Sequence, residues 1–250
     1  MVKSPPYNYN KFNRISRIVD KHTLGIMVVS VLISSQVPSS EYVILLHGLA
    51  RSDRSFMKLA SVLNENSYNT INCNYPSREY SVDKLAEYTI SDALSHCPKG
   101  SKINFVTHSM GGILVRQYLS KKVIENLGCV VMLGPPNKGS QVVDSLRRVP
   151  GFQLVNGPAG LQLGTEATSV PNKLGPANFD VGIIAGTRSI NFILSTMLPD
   201  PDDGKVSVEN TKLDGMRDHI CLSVTHPFMM KNNMVINQVL YYLNHGQFRR

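Results

Sequence analysis

From residue 41 onward, short apolar runs alternate with stretches in which apolar residues recur every three or four positions. Tyr42–Leu46 (Tyr-Val-Ile-Leu-Leu) has no polar alternation and stops at His47-Gly48, the pattern of a strand covered on both faces. A helix is predicted over Phe56–Leu63, with Ser52 or Asp53 as its cap. Asn69–Asn74 reads as a second strand, broken by Pro76, and Val82–Leu94 as an amphipathic helix behind Ser81. Ile103–Thr107 is a third strand. Gly111–Asn126 is a predicted helix with Ile113, Leu114, Tyr118, Leu119 and Val123 along one side. Cys129–Leu133, Val181–Ala185 and His219–Val224 read as further strands, and Val235–Leu243 as a closing helix. Strands alternating with helices predict an α/β architecture, a mostly parallel central sheet with helices on both faces.

Pro135–Asn178 breaks this rhythm. Its 44 residues hold six of the 18 glycines and six of the 14 prolines, and only Gln141–Arg148 reads as a short helix. A long irregular excursion inside a compact domain is often functional, and here it is expected to form a short cover over a substrate site.

The first 37 residues differ again. Lys3, Lys11, Arg14, Arg17 and Lys21 precede the apolar run Leu24–Ile33, and no charged residue lies between His22 and Ser40. Basic residues ahead of an apolar run and small residues after it resemble a secretory signal or envelope anchor. The other reading is that Ile26–Ile33 is a buried β-branched strand, which periodicity does not distinguish. The chain thus divides into residues 1–37, signal- or anchor-like, and a catalytic-sized domain over 38–250. The first reading implies a periplasmic, secreted or envelope location with N-terminal or peripheral membrane association; the second is compatible with the cytoplasm.

Charge sharpens this division. The net +8 rests on 26 basic and 18 acidic side chains, but Val37–Phe248 contains nineteen basic and seventeen acidic. The body is nearly neutral and has no basic run interleaved with aromatics, which argues against a nucleic-acid partner. Cys73, Cys97, Cys129 and Cys221 are scattered, without zinc-ligand spacing, and Cys129 and Cys221 read as small core residues. No metal or cofactor is expected, and nothing in the sequence sets an oligomeric state.

The chemistry concentrates at Val106-Thr107-His108-Ser109-Met110-Gly111-Gly112. A serine between a strand and a helix sits on a tight turn at the carboxyl edge of the sheet. A side chain at Gly111 would strike the strand beneath, and the helix aims its first amides at charge developing beside Ser109. On these residues the chain resembles the α/β-hydrolases, and within them it is similar to bacterial lipases and esterases with His-Ser-Met-Gly-Gly elbows. Thr107 stands where Gly-x-Ser-x-Gly has its first glycine.

The resemblance implies an α/β-hydrolase fold in a compact form, with Ser109 as nucleophile and His108 and Gly111 supporting the elbow. His47-Gly48-Leu49 matches the loop that places an oxyanion hole, here the backbone N–H groups of Leu49 and Met110, with His47 and Gly48 shaping the loop. The family order is nucleophile, acid, histidine. Among His219, His226 and His245, it is His226 that follows a predicted strand on a turn before Pro227. Asp202-Asp203-Gly204-Lys205-Val206 matches an Asp-Gly-x-Val signature and selects Asp203, with Asp202 as the competitor. Gly134-Pro-Pro-Asn-Lys-Gly-Ser140 resembles a turn that borders the active site in this group; it is no phosphate loop, because Ser140 stands where that motif needs lysine. The implied activity is carboxylester hydrolysis on an ester or lipid substrate. Acyl transfer or phospholipid deacylation on the same residues is the alternative, and a non-catalytic binding protein of the same fold the third reading.

Overall fold

The computed structural model describes residues 40–190, 192–199 and 201–250; the basic segment, the run Leu24–Ile33 and both of its readings lie outside them. Six parallel strands form one sheet in the order β2-β1-β3-β4-β5-β6. They are β1 (Glu41–Leu46), β2 (Asn69–Cys73), β3 (Lys102–His108), β4 (Leu127–Leu133), β5 (Val181–Gly186) and β6 (Asp218–Leu222). The chain crosses over between α1 (Met57–Glu65), α2 (Val82–Ser95), α3 (Met110–Leu119) and α9 (Asn233–His245) as the main helices.

β1 shows why its run carries no polar alternation. Ile44 and Leu46 point into one core with α2 and α3, through Leu85, Ile90, Ile113 and Leu114. Val43 and Leu45 point into the other with α1 and α9, through Leu59, Leu63, Val235 and Val239. A strand buried on both faces gains about 1.5–3 kcal/mol from each large apolar side chain, whichever way it points. Two close packings fix the layers. Gly182 on β5 leaves room for the Tyr242 ring of α9, which a Cβ would meet at 2.2 Å. Asn104 on β3 accepts from the Cys129 N–H at 2.9 Å, repairing the ladder where β3 and β4 change register.

Three expectations are corrected. The helix predicted to run to Asn126 ends at Leu119, because Ser120 Oγ donates to the Gln117 carbonyl and the Lys121 and Lys122 N–H groups both turn back to Tyr118. Val123, predicted on its apolar side, is 91% exposed. The stretch 135–178 contains three helices rather than one: α4 (Gln141–Leu146), α5 (Phe152–Leu161), kinked at Gly157, and α6 (Val170–Lys173). Cys129 is buried, but Cys221 on the edge strand β6 is exposed; all four cysteines are free. Two short helices, α7 (Phe192–Ser195) and α8 (Val208–Thr211), follow β5. No helix among the described residues is long and apolar enough to cross a membrane.

The insertion is tied to the body by Arg116 of α3, only 4% exposed. Its guanidinium donates to the carbonyls of Asn137, Pro171 and Gly175 and to Asn137 Oδ1, at 2.8–3.2 Å. Burial lowers its pKa to about 10.

Candidate active site

Loops leaving the carboxyl ends of β1, β3, β4, β5 and β6 carry the residues singled out from sequence, the edge at which open α/β sheets bind ligands. Ser109 joins β3 to α3 with φ 53° and ψ −122°, a conformation L-residues avoid. Two contacts impose it: the Ser109 N–H donates to the Leu133 carbonyl at 2.9 Å, and α3 lies so close to β1 that a Cβ on Gly111 would sit 2.3 Å from the Leu46 carbonyl oxygen. The collision expected at Gly111 is thus with the end of β1. Thr107 is fully buried, and the chain makes room for it elsewhere: a Cβ on Gly112 would lie 3.3 Å from its Oγ1.

Beside this elbow stands a carboxylate–imidazole pair. His226 opens a 3-10 turn, His226–Lys231, three residues beyond the strand-following Ser223, and its Nδ1–H donates to Asp203 Oδ2 at 2.7 Å. Asp203 is fully buried. Its other oxygen accepts the N–H groups of Lys205 and Val206 at 3.0 and 2.9 Å, and its carbonyl accepts the His226 N–H at 3.0 Å. Asp202 faces elsewhere: its Oδ1 accepts from the Gly204 N–H and from Ser195 Oγ. Of the adjacent acids, then, only Asp203 meets the histidine. The other two candidate histidines bond away from it, His219 Nε2 with Thr211 Oγ1 at 3.0 Å and His245 Nδ1 with the Tyr241 carbonyl.

Gly134 fits beneath the pair. It has φ +54°, and a Cβ there would come within 2.9 Å of Asp203 Oδ2 and 3.1 Å of His226 Nδ1. Sequence reading placed the Gly134–Ser140 turn only at the border of the site; the signal available was a glycine one residue past a strand end. The amides of Lys205 and Val206 were invisible in sequence because they act through backbone.

Two further histidines build the walls. His47 is fully buried and stacks on Tyr75 with ring centres 4.0 Å apart. Its Nδ1–H donates to the Gly48 carbonyl at 2.8 Å, and the Tyr75 hydroxyl donates to the His47 carbonyl. Burial lowers its pKa to about 4, against smaller opposing effects of the Gly48 carbonyl and Asp53. His108 donates from Nε2 to the His226 carbonyl at 3.0 Å, and the two rings lie 4.6 Å apart. Burial first, then the neighbouring His226, drives its pKa well below 6.5, so it stays neutral beside any imidazolium. Gly48 closes the gap between them: a Cβ would lie 2.9 Å from His108 Nδ1 and 3.1 Å from Ser109 Cβ.

The Leu49 and Met110 N–H groups, one from each loop flanking Ser109, donate to no acceptor among the described residues. The C-terminal half of α5 reaches this loop, since a Cβ on Gly160 would lie 2.9 Å from Leu49 Cδ2. Among the described residues no group of three His, Cys, Asp or Glu side chains could hold a metal.

No protein-family model matches the chain, and no curated protein matches it in sequence. Solved structures do match. The mature Bacillus licheniformis lipase BlEst2 is 18% identical at a TM-score of 0.64, over 82% of this chain and 93% of that one. The metagenomic carboxyl esterase MGS0156 is 17% identical at 0.59, over 76% and 65% of the two chains. A monoacylglycerol lipase from Paleococcus ferrophilus is 16% identical at 0.55, over 83% and 96%. The likeness is one of fold: an all-parallel sheet flanked by helices in the α/β-hydrolase arrangement.

Proposed function

We propose that this chain, an α/β-hydrolase in fold, is a serine carboxylester hydrolase that works through an acyl-enzyme on Ser109. The observation that carries the reading is the Asp203–His226 bond of 2.7 Å at the same sheet edge as a serine held at φ 53°. Asp203, fixed by two backbone amides, keeps the proton on His226 Nδ1 and leaves Nε2 as the base. Nε2 takes the Ser109 proton as Oγ attacks the ester carbonyl. The tetrahedral oxyanion is received by the Leu49 and Met110 N–H groups, each such donor contributing about 3 kcal/mol in related chemistry. His226 then hands the proton to the departing alcohol. Water, activated by the same nitrogen, attacks the acyl-serine, and the acid leaves with Ser109 restored.

The test pairs the protein with its Ser109→Ala variant on p-nitrophenyl esters of graded acyl length, with a fluorophosphonate probe alongside. Turnover and labelling of the parent, both lost in the variant, are expected. Equal turnover by the two proteins removes the proposal.

A further inference from the structure

The loop that follows β2 grips the two peptides on either side of Leu49. The Leu49 N–H belongs to the Gly48–Leu49 peptide, which starts against the nucleophile: a Cβ on Gly48 would lie 3.1 Å from Ser109 Cβ. In a planar trans peptide the carbonyl and the N–H point in opposite directions, so whatever holds the carbonyl also aims the N–H. The Gly48 carbonyl is held by His47 Nδ1–H at 2.8 Å. Tyr75 in turn sets the His47 ring. The two rings stack at 4.0 Å with planes 8° apart, the Tyr75 N–H donates to His47 Nε2 at 3.4 Å, and the Tyr75 hydroxyl donates to the His47 carbonyl. With Nε2 accepting, the proton stays on Nδ1, the tautomer that holds Gly48.

The second peptide, Leu49–Ala50, is pinned two residues further along the same loop. Ala50 has φ 55°, one of three non-glycine residues at positive φ among the described residues. Such a conformation persists only where the surroundings impose it, and here the Ala50 N–H donates to Ser77 Oγ at 3.0 Å. Ser77 and Tyr75 are both buried. The Ser77 N–H donates to the Tyr75 carbonyl at 2.8 Å across Pro76, whose ring fixes its own φ, so the two residues form one rigid unit. The cover backs that unit: Gly157, at the kink of α5, leaves no room for a Cβ against the Arg78 carbonyl, and Gly160 packs on Leu49. Among the described residues neither Tyr75 nor Ser77 hydrogen-bonds Ser109, Asp203 or His226.

We propose that Tyr75 and Ser77 are positioning residues of the oxyanion hole: Tyr75 through the His47 ring, and Ser77 through the Ala50 amide, aim the Leu49 N–H at the developing oxyanion. This rests on the ester-hydrolase reading and gives a role to two residues far from Ser109 in sequence. Aim matters because the donor has to meet the oxygen as it becomes charged, and outright loss of such a donor costs about 10²–10³ in kcat. A donor left in place but free to swing keeps part of that contribution.

The experiment measures Ser77→Ala and Tyr75→Phe beside the parent on p-nitrophenyl butyrate, with an alkyl trifluoromethyl ketone as inhibitor. Ser109 Oγ adds to the ketone carbonyl, its proton passing to His226, and leaves an oxyanion in the same hole with no departing group. Each variant is expected to lose about tenfold in kcat with KM within about twofold, and to bind the ketone more weakly by about the factor lost in kcat/KM. The acid midpoint of kcat/KM should stay at the parent's value, because Asp203 and His226 are untouched. Tyr68→Phe, which loses a hydroxyl bond to Asn244 Oδ1 at 3.0 Å, is the control; it should shift a thermal melt and leave kcat and ketone affinity unchanged. A kcat loss without a matching loss of ketone affinity, a displaced midpoint, or equal losses in the control overturns the proposal. A variant with kcat and ketone affinity within about twofold of the parent overturns the assignment of that residue. Any of these results, obtained with an active parent, leaves ester hydrolysis standing; a parent that turns over no p-nitrophenyl ester overturns both readings.

Discussion

Gly134→Ala is the sharpest perturbation available, because it alters the Asp203–His226 pair without touching either residue. At φ +54° an alanine costs about 1 kcal/mol of backbone strain. Its Cβ would also meet Asp203 Oδ2 at 2.9 Å, Met229 Sδ at 3.0 Å and His226 Nδ1 at 3.1 Å, where ordinary contact begins near 3.4 Å. The pair must shift by roughly 0.5 Å, enough to miss productive geometry, given that misplacement by about 1 Å costs about a hundredfold. We expect kcat on p-nitrophenyl butyrate to fall about 10- to 100-fold with KM little changed, and stability to fall by about 1–3 kcal/mol. Gly100→Ala is the control: φ is +87°, no atom lies within 4 Å of its Cβ, and it precedes β3 at the opposite edge of the sheet. It should show the strain cost in a thermal melt and keep its activity. A folded Gly134→Ala protein with kcat within about twofold of the parent, or equal losses in both variants, would refute the reasoning.

Other outcomes follow from the same geometry. Asp203→Asn should lower kcat by about 10³–10⁴, by disturbing the His226 tautomer, whereas Asp202→Ala, which loses the acceptor for the Gly204 N–H and the Ser195 hydroxyl, should change melting more than turnover. His47, with its folded pKa lowered to about 4, contributes stability that is fully present above pH 6.5 and is lost as pH falls toward 4. Urea titrations at pH 7 and pH 5 should differ by about 2 kcal/mol more in the parent than in His47→Gln; parallel curves would exclude it. Arg116→Met leaves the carbonyls of Asn137, Pro171 and Gly175 without their donor and should destabilise the protein by about 3 kcal/mol or more, with new proteolytic cleavage confined to 135–178.

What was legible in the sequence was local. Tyr42–Leu46 and Val181–Ala185 lack polar positions because both faces are covered, and that alone predicts parallel strands. Ser109 and His226 could be singled out because each lies just past a strand, where order along the chain and order across the sheet agree; Asp203, far beyond the end of β5 and past α7, was reached only through its match to the Asp-Gly-x-Val signature. The end of α3 was not legible, since Ser120 and the two lysines after it carry no breaker signal and Val123 continues the helical spacing by accident. Cys221 sits in an apolar run yet faces solvent because β6 is an edge strand, a fact of strand order rather than of spacing. The helix α5 was hidden by Gly157-Pro158, which kinks the segment without ending it. Arg116 depends on partners far away in sequence.

The elbow rests on the ends of β1 and β4, and the Asp203–His226 pair comes from beyond β5 and β6. β1, earliest of the described strands, must pair with both β2 and β3, so its place is complete only after residue 102 has joined it. No fragment of the chain short of nearly the whole body therefore contains a site. Pairings this distant form late, after the entropy of closing long loops has been met. In a refolding experiment, regain of turnover should lag behind regain of helical signal, and a nick or truncation that spares most of the secondary structure can still extinguish activity.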